Sequence, residues 1–417
     1  MKHLIQTLFL LLLVMQISFA QGSWIQIGDM PENRYAHTVD EINGKIYVAG
    51  GGEHEGGLFP ATALVYDTST GIWDTIPLYN NILRNCHNSC VVNGKLYVVG
   101  GNNGIKTVST MEILDPITNQ WTSLDSMPTD RGLAACAVVN DTIYVIGGIR
   151  GYLNALDYTG LKTVESYDIT TGQWNSKAEM PTKRWGHSAV AYNGKIYVFG
   201  GRSTGVPYSS IEVYDPQFNT WETISDSTIP TPRYCLTTCV LDSNIYAIGG
   251  WYHSGGGPIY DKVEVYNPDS NTWYTETPMP VALALLASIV LDGKIQVFGG
   301  SITTHPCIGS SEIYEFTPLI VPVEVEVSAP LEFLLQQNFP NPFNPSTTIG
   351  FGLQNKSAVK IIVLNSIGEE VAVVLNEERD SGCHTVEFNA ANLPSGVYFY
   401  RLQAGSFVET KKMILLK

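Results

Sequence analysis

The sequence has little positive charge and a single long apolar run, and both shortages exclude classes of function. Lys and Arg number 24 against 39 Asp and Glu, which gives the 417-residue chain a net charge of −15. Because nucleic acid is polyanionic, such a chain has no electrostatic attraction to it, and we expect no nucleic-acid partner. Apart from the run between Leu4 and Ile17, no segment is apolar enough to cross a bilayer, so we expect no membrane span in the mature protein.

The apolar run at the N-terminus has the pattern of a secretory signal peptide. Lys2 and His3 precede it, and Ser18-Phe19-Ala20 places small residues at the two positions that signal peptidase recognises. We therefore predict that residues 1–20 are removed before Gln21 and that the protein is exported. Residue 21 is glutamine rather than cysteine, which excludes a lipoprotein.

Cysteines are present, but their spacing leaves little room for disulfides. Cys86 and Cys90 lie four residues apart on one predicted strand, and so do Cys235 and Cys239. Four strand residues span about 13 Å, which exceeds the reach of a disulfide. We predict small buried side chains at these positions. The state of two further cysteines stays open: Cys307 and Cys383.

A sixfold internal repeat is the main feature of the sequence. Strand-like segments such as KIYVAGG and KIYVFGG end in two glycines, and the first glycines of the pairs are spaced by 50, 47, 53, 49 and 50 residues. These first glycines are Gly50, Gly100, Gly147, Gly200, Gly249 and Gly299. A second strand and a turn follow each pair. A period near 50 residues with four short strands per unit predicts a β-propeller, in which glycine lets neighbouring blades approach closely.

The diglycine, the tyrosine of the following strand and a tryptophan after the turn resemble the kelch repeat over roughly residues 22–317. The resemblance implies an all-β fold with a six-bladed kelch propeller, whose strands we label a to d from the centre outward. The sixth unit ends at SEIYEF without a tryptophan, while Ser23–Ile27 supplies a strand that contains Trp24. We predict that this N-terminal strand completes blade six, so that the propeller of residues 21–317 has no open sheet edge.

The sequence changes character after residue 317. A connector rich in Pro and Val, residues 318–335, leads into short alternating strands that predict a small Ig-like β-sandwich over residues 336–417. This region resembles the type A C-terminal sorting domain of type IX secretion. The matching segments are Pro340–Pro345, Gly368, Gly382, Leu393–Tyr398 and Lys411–Met413. The resemblance implies that the type IX secretion machinery is a partner and that the product is secreted or held on the outer cell surface.

Long and variable connections fall on one side of the predicted propeller, the loop face formed by the d–a and b–c loops, whereas the a–b and c–d turns are short. Because function on a scaffold concentrates in its loops, we expect a ligand on this face. The ligand-face candidates are Tyr35, Trp185, Tyr234, Trp251, Tyr252, His253, Arg150 and Arg202. The aromatic rings suit stacking on a sugar, anchoring of a protein, or packing between blades.

Three histidines in the b–c loops are candidate metal ligands: His54, His253 and His305. They belong to blades one, five and six, which are neighbours in the predicted ring. Three imidazoles on neighbouring loops are enough to hold a metal ion. These histidines lack a short fixed spacing on one element, however, so we predict exposed side chains, no metal and no cofactor.

Two charged registers repeat around the predicted ring. An arginine stands sixteen residues before the diglycine in units one to five, and a glutamate stands in strand c of units two to six. Leu283 and Leu64 are the exceptions, and both fall at one seam if each arginine faces the glutamate of the next blade. We therefore predict structural interblade pairs rather than an anion site, with Leu283 against Leu64. The predicted pairs are Arg34–Glu112, Arg84–Glu165, Arg131–Glu212, Arg184–Glu264 and Arg233–Glu312.

Two classes of function fit these features. The first is an exported binding module that holds a glycan or a surface protein on its loop face, since fold alone does not determine function. The second is a carbohydrate-active enzyme on the kelch scaffold, because kelch relatives include a sialic-acid epimerase and copper-radical oxidases. An oxidase of that kind needs a Tyr–Cys pair and two histidines around copper, and no such pattern is visible. We assign no catalytic residues and keep the enzyme as the alternative.

Overall fold

The computed structural model describes residues 21–54, 59–78, 83–152, 155–156, 159–252, 257–303, 306–319, 333–338 and 340–416. The chain divides after Leu319 into two compact units. The predicted signal peptide and most of the predicted connector lie outside the described residues. Within the described ranges the regular elements are all strands, and no helix there is long and apolar enough to cross a membrane.

The first unit contains six four-stranded antiparallel sheets and one two-stranded ribbon. Its first fifteen strands are β1 (Ser23–Arg34), β2 (Thr38–Ile42), β3 (Lys45–Ala49), β4 (Thr62–Asp67), β5 (Ile72–Pro77), β6 (Asn88–Val92), β7 (Lys95–Val99), β8 (Met111–Asp115), β9 (Gln120–Leu124), β10 (Ala135–Val139), β11 (Thr142–Ile146), β12 (Gly151–Tyr152), β13 (Ala155–Leu156), β14 (Val164–Asp168) and β15 (Gln173–Ser176). The next eleven are β16 (Trp185–Tyr192), β17 (Lys195–Arg202), β18 (Ser210–Asp215), β19 (Thr220–Thr228), β20 (Thr237–Leu241), β21 (Asn244–Ile248), β22 (Val263–Asn267), β23 (Thr272–Thr275), β24 (Ala287–Leu291), β25 (Lys294–Ser301) and β26 (Gly309–Thr317).

Each four-stranded sheet is one blade of a propeller. Blades one, two, four and five use four consecutive strands, β2–β5, β6–β9, β16–β19 and β20–β23, and blade three has the order β10-β11-β14-β15. The innermost strands touch in the cyclic order β2, β6, β10, β16, β20, β24 and back to β2. The predicted six-bladed all-β architecture is therefore confirmed.

Blade six combines segments from both ends of the propeller sequence, in the order β24-β25-β26-β1. Strand β1 pairs antiparallel with β26, and Trp24 lies opposite Phe316. The two rings are 5.1 Å apart, and the Trp24 indole donates a 2.9 Å hydrogen bond to the carbonyl of Thr277 in blade five. The pairing is interrupted by a register shift between Gln26 and Gly28.

Local sequence explains the tight hairpins inside the blades. Asn43 and Gly44, between strands a and b of blade one, both have positive φ, 53° and 78°. Two left-handed residues form the type I′ turn, whose twist matches that of the flanking strands. The same pair of conformations recurs at Asn193-Gly194 and Asp292-Gly293. These turns lie at the end of the propeller opposite the loop face, which we call the turn face.

The propeller core lies between blades rather than inside one sheet. One buried cluster combines Tyr97 of blade two with Ile143 and Tyr167 of blade three, for example. Another combines Phe199 of blade four with Ile245 and related residues of blade five. Because each sheet buries both faces against neighbours, removal of one blade exposes two apolar surfaces.

The second unit is a two-layer sandwich. Its strands are β27 (Leu334–Leu335), β28 (Ser346–Leu353), β29 (Ser357–Leu364), β30 (Glu370–Arg379), β31 (Gly382–Asn389), β32 (Gly396–Ala404) and β33 (Phe407–Leu415). They form a three-stranded sheet, β27-β28-β31, and a four-stranded sheet, β30-β29-β32-β33. Ile349 and Phe351 of one sheet share a buried cluster with Ile361 and Leu402 of the other, so a single core holds the two layers.

Candidate functional site

The diglycines hold neighbouring blades together through the main chain. In blades one to five, the amide of the second glycine donates to a carbonyl of the following blade, as in the 2.9 Å bond from Gly201 to the carbonyl of Arg233. The first glycine lies so close to that carbonyl that a Cβ on Gly200 would sit 2.3 Å from the Arg233 oxygen. Gly200 also has a φ of 62°. Only glycine satisfies both conditions, as the sequence predicted.

The arginine side chains stay within their own blades. The ion pairs are Arg84–Glu112 at 2.5 Å, Arg131–Glu165 at 2.5 Å, Arg184–Glu212 at 2.9 Å and Arg233–Glu264 at 2.5 Å. Each guanidinium also donates to main-chain carbonyls of the same sheet, as Arg184 does to Gly200 at 2.8 Å. The predicted interblade pairs are therefore wrong: Arg34–Glu112, Arg84–Glu165, Arg131–Glu212, Arg184–Glu264 and Arg233–Glu312. The main-chain carbonyl of each arginine contacts the preceding blade, while its side chain extends outward across its own strands b and c.

The closing blade departs from this pattern. Arg34 pairs with Glu32 at 2.8 Å, and the Glu32 side chain is 37% exposed. Within the described residues, Glu312 forms no ion pair with an arginine. Strand c of blade six is displaced by two residues in register: Tyr314 faces Val297, where Glu264 faces Ala247 in blade five. Glu312 instead accepts a hydrogen bond from Ser310.

The predicted contact between Leu283 and Leu64 is also wrong. Leu283 packs with Val263 and Val265 of blade five, whereas Leu64 packs with Met30 and Phe298 of blade six. The two leucines thus lie in different interblade cores. Leu283 stands at the arginine register of blade six. Leu64 stands at the glutamate register of blade one, which is the neighbour of blade six.

Burial rather than ligand binding explains the charged register. Arg34, Arg131, Arg184 and Arg233 are fully buried. Burial lowers the pKa of Arg131 to about 10, against the opposing effect of Glu165. It also raises the pKa of Glu112, despite the neighbouring arginine. Since carboxylates and carbonyls of the same blade already surround the guanidinium groups, these residues hold strands b and c together.

A closed ring of six main-chain hydrogen bonds surrounds the channel just inside the loop face. One residue of each blade donates its amide to the carbonyl of the same residue in the preceding blade, over 2.5 to 2.9 Å. The ring consists of Ala36, Cys86, Leu133, Gly186, Cys235 and Leu285, all with φ between 51° and 61°. Sequence reasoning missed it, although each member stands two residues after the arginine register.

Four of the predicted ligand-face aromatics pack above this ring instead of projecting into solvent. They form one buried cluster with Cys307: Tyr35, Trp185, Tyr234 and Trp251. Trp185 and Trp251 meet Tyr234 edge-on at 5.2 and 5.6 Å. Arg202 places its guanidinium over Trp185 and Tyr234, 5.4 and 5.1 Å from the ring centres, which adds cation–π attraction. The cluster therefore fixes the floor of the loop face.

The other ligand-face candidates have different positions. Tyr252 is 37% exposed, and Arg150 is exposed and pairs with Asp130 at 2.9 Å. His54 forms a bridge with Ile308 of blade six, whereas His253 and His305 lie outside the described residues. Among the residues that the structure describes, no three His, Cys, Asp or Glu side chains are grouped as metal ligands.

Three buried histidines follow the ring in the blades that have them: His37, His87 and His187. The corresponding residues of blades three, five and six are Ala134, Leu236 and Leu286. Burial, with a contribution from the neighbouring arginines, lowers the pKa of His37 and His187 to about 3 and lowers that of His87 strongly. These imidazoles are therefore neutral and act as packing groups.

On the turn-face side of the ring, the channel widens into a cavity of about 230 Å³. Hydroxyl groups dominate its lining, and they bond to one another, as Ser188 does to Thr238 and Thr237 to Ser288, both at 2.8 Å. Burial raises the pKa of Asp40, which accepts a hydrogen bond from Ser89, to about 6. His37, Ala134, His187, Leu236 and Leu286 line both this polar cavity and the smaller cavity at the ring.

The cysteines behave largely as predicted. None of the six cysteines whose side chains the structure describes takes part in a disulfide. Cys90, Cys235 and Cys239 are buried, and Cys86 is partly buried. Cys307 packs in the aromatic cluster, and the side chain of Cys383 lies outside the description.

Comparison with known proteins agrees with this architecture. The sequence profile described as the KLHDC2/KLHL20/DRC7 Kelch-repeats domain matches residues 12–148 and 126–300, which is more than half of the chain. The chain belongs to the kelch-repeat family. The kelch propeller is followed by a match to the secretion system C-terminal sorting domain over residues 337–416. This domain indicates export through type IX secretion to the medium or the cell surface.

Curated kelch proteins share the propeller at modest identity. Human Kelch-like protein 23 is 28% identical over 262 residues, which are 62% of this chain and 45% of that protein, so this kelch chain spans under half of that relative. Kelch-like protein terF of Aspergillus terreus is 28% identical over 330 residues, 74% of this chain and 71% of the relative. The solved structure of YjhT superposes on this chain with a TM-score of 0.59 and 18% sequence identity. The superposition covers 68% of this chain and 95% of the YjhT chain, which supports the fold.

Proposed function

We propose that the protein is an exported binding module that holds a protein partner on the loop face of its kelch propeller. The observation that carries the proposal is a set of exposed apolar side chains in the b–c loops of four blades. They are Ile105 (66% exposed), Val206 (61%), Tyr252 (37%), Ile302 (45%) and Ile308 (41%). They surround the floor that the buried aromatic cluster forms. Exposed apolar groups on a surface of this kind are typical of protein contact surfaces.

The buried state of the aromatic cluster favours a protein over a sugar as the main ligand. Rings that pack edge-on against one another in a core offer little free face for stacking on a sugar. A glycan is the second candidate, because two buried polar atoms near the channel mouth, Asn85 Oδ1 and Trp251 Nε1, have no hydrogen-bond partner among the described residues. Such atoms suit the hydroxyl groups of a sugar or ordered water.

The experiment compares two faces of the same protein. Residues 21–417, fluorescently labelled, are tested for saturable binding to proteins of the producing cell's surface and to a glycan array. One variant carries Ile105→Asp, Val206→Asp and Ile302→Asp on the loop face. The control carries Ile117→Asp and Phe218→Asp, which are 88% and 67% exposed in turns of the opposite face. We expect the first variant to lose binding and the control to keep it; the reverse pattern contradicts the proposal.

Export is tested separately from binding. Deletion of residues 336–417 removes most of the second compact unit and none of the first. We expect the truncated protein to fold and to accumulate inside the outer membrane, as measured by protease protection in whole cells. Appearance of the truncated protein on the surface at normal levels contradicts the role of the sorting domain.

A further inference from the structure

One tyrosine of strand b recurs in blades one to five, and blade six lacks it. The five residues are Tyr47, Tyr97, Tyr144, Tyr197 and Tyr246, and their counterpart in blade six is Gln296. In three successive seams, the tyrosine ring packs on an aromatic ring of strand c in the next blade. The pairs are Tyr144–Tyr214 at 5.7 Å, Tyr197–Tyr266 at 6.4 Å and Tyr246–Phe316 at 6.0 Å.

A second replacement accompanies the first. The strand-c residues opposite the five tyrosines are Val65, Ile113, Ser166, Val213 and Val265, whereas Glu315 lies opposite Gln296. Gln296 and Glu315 are both buried. Gln296 Nε2 donates to Glu315 over 3.0 Å, and Lys294 Nζ contacts the other carboxylate oxygen at 2.7 Å. The two polar residues that break the repeat, Gln296 and Glu315, are thus hydrogen-bonded to each other.

These departures face a cavity of about 320 Å³ between blades six and one, which we call the seam pocket. Its polar and aromatic lining is Asp29, Tyr66, Trp73, Asp292, Gln296 and Glu315, and its floor is aliphatic and aromatic. The Tyr66 and Trp73 rings lie 4.9 Å apart. The missing tyrosine ring accounts for the space, because Gln296 occupies the place from which that ring would reach the strand-c aromatic Tyr66.

The outer part of this seam is open as well. In three other seams, the strand-d indole donates to a carbonyl of the preceding blade: Trp174 to Asp125, Trp221 to Ala178 and Trp24 to Thr277, at 2.8 to 2.9 Å. The equivalent partner of Trp73 is Gly28, at the register shift of β1. Like Trp121 and Trp273, Trp73 finds no hydrogen-bond acceptor for its Nε1 among the described residues. Because Trp73 also lines the pocket, its ring and its N–H are available there.

The charge of the lining defines the class of ligand. Asp29 and Asp292 are exposed at the pocket, and no lysine or arginine of the described residues forms an ion pair with either. Glu315 is already neutralised by Lys294. Two unpaired carboxylates beside two aromatic rings attract a cation and repel an anion. We propose that the seam pocket binds an organic cation, an ammonium or guanidinium group on an apolar stem.

The position of the pocket separates it from the loop face. Asp292 lies in the a–b turn of blade six, and Thr68, which also lines the pocket, lies in the c–d turn of blade one, so the pocket opens on the turn face. The chain's own connector, residues 320–332, contains no Lys or Arg and does not supply the cation. The ligand is then a free amine or a basic side chain from outside the connector, and the test below distinguishes these two sources.

The test measures binding of defined probes to residues 21–417 by isothermal titration calorimetry. Agmatine represents a free amine with a guanidinium group, and a blocked Gly-Gly-Arg-Gly-Gly peptide represents a basic side chain. Hexanoate and hexanol have comparable stems with a negative or neutral head. We expect saturable binding of agmatine and none of hexanoate or hexanol; binding of the peptide as well assigns the site to basic side chains, and its failure assigns the site to small amines.

Three variants establish the site. Asp29→Asn with Asp292→Asn removes the two exposed charges, and we expect agmatine affinity to fall about tenfold or more, as loss of charge-assisted contacts predicts. Asp125→Asn with Asp141→Asn makes the same change in net charge on other blades and leaves affinity unchanged. Gln296→Tyr with Glu315→Val restores the repeat pattern, fills the pocket and abolishes binding. Absence of agmatine binding, equal binding of hexanoate, or full affinity in the Asp29→Asn/Asp292→Asn variant overturns the proposal.

Discussion

Blades two to five and blade six perform the same structural task with different residues. Each of blades two to five has a buried arginine bonded to a glutamate of its own strand c, and a tyrosine of strand b that faces the next blade. Blade six has Leu283 in place of the arginine, Tyr314 at the glutamate register and Gln296 in place of the tyrosine. It is also the blade whose outer strand comes from a distant part of the chain.

The difference shows which parts of the repeat are necessary for the ring and which are replaceable. The diglycine and the left-handed residue of the central ring are present in all six blades, including blade six. The arginine–glutamate pair of the repeat and the strand-b tyrosine are absent from blade six, and the ring still closes. Main-chain contacts near the axis thus define the propeller, whereas side-chain contacts farther out vary with the local sequence.

The largest expected effect comes from removal of the strand that distinguishes blade six. Deletion of residues 21–30 takes away the partly buried Trp24, its contact with Phe316 and its hydrogen bond to Thr277, and exposes the edge of β26. We expect aggregation and an early, broad unfolding transition by differential scanning calorimetry. Addition of a peptide of residues 21–34 should partly restore the transition. An unchanged melting temperature shows that the ring closes without this strand.

The buried ion pair of a regular blade is the next contrast. Arg184→Leu leaves Glu212 buried without its partner, which costs about 3–5 kcal/mol in the free energy of unfolding measured with urea. Arg184→Leu combined with Glu212→Leu should recover much of this loss and imitate Leu283 of blade six. As a control, Glu264→Leu should give no recovery with Arg184→Leu, since Glu264 pairs with Arg233. Equal recovery by both glutamate variants contradicts pairing within the blade.

A glycine comparison separates backbone strain from steric conflict between blades. Gly200 and Gly205 have positive φ, 62° and 96°, but a Cβ meets the Arg233 carbonyl at the first position and nothing within 4 Å at the second. Gly205→Ala should cost about 1–2 kcal/mol of stability from the left-handed conformation alone. Gly200→Ala should cost more, since it also forces blades four and five apart. Equal urea midpoints for the two variants exclude a steric contribution.

The smallest effect is a pH dependence confined to the blades that carry histidine. The folded-state pKa of His187 is about 3, below the ordinary value of 6.5, so the unfolded chain binds more protons as pH falls below 6.5. Stability is then lost from about pH 6.5 down to pH 3, by about 0.7 kcal/mol per histidine between pH 7 and pH 6. Asp40, with its pKa raised to about 6, has the opposite sign and offsets part of this loss between pH 6 and pH 4.

His187→Leu isolates the histidine contribution from that of Asp40. The variant imitates Leu236 and Leu286 of blades five and six, so it should fold normally at pH 7. Urea unfolding at pH 7 and pH 6 should show a smaller loss for the variant than for the unchanged protein. An identical loss shows that His187 is protonated in the folded state.

The fold could be predicted because its determinants are local and repeated. Diglycines, Asn-Gly turns and alternating strands each impose one backbone conformation, and six copies at a period near 50 residues allow a single closed arrangement. The displaced strand of blade six could not be predicted in the same way. In the sequence, Glu312 of SEIYEF stands where the other units have their strand-c glutamate. In the structure, Gln296 faces Glu315, and Glu312 therefore lies two residues out of register.

The candidate site was predicted less completely than the fold. The arginines were assigned a structural role from their register, yet the choice between the same and the next glutamate depends on the direction in which each side chain leaves its strand. Tyr35, Trp185 and Tyr234 were predicted as ligand-face residues, but their depth is set by packing across several blades. Gln296 was visible as a break in the tyrosine register, and only the structure shows that Glu315 lies beside it.

The pairing of β1 with β26 also sets the order of events during folding. In sequence, 253 residues separate Trp24 from the Thr277 carbonyl that accepts its hydrogen bond. Contacts of such long range form late, because the entropy of closing the intervening loop must be overcome first. Strand β1 therefore has no pairing partner until β26 has been synthesised, and a nascent chain that lacks β26 cannot complete the ring. The sorting domain follows directly in the sequence, so its synthesis ends only after every strand of the propeller has become available for assembly.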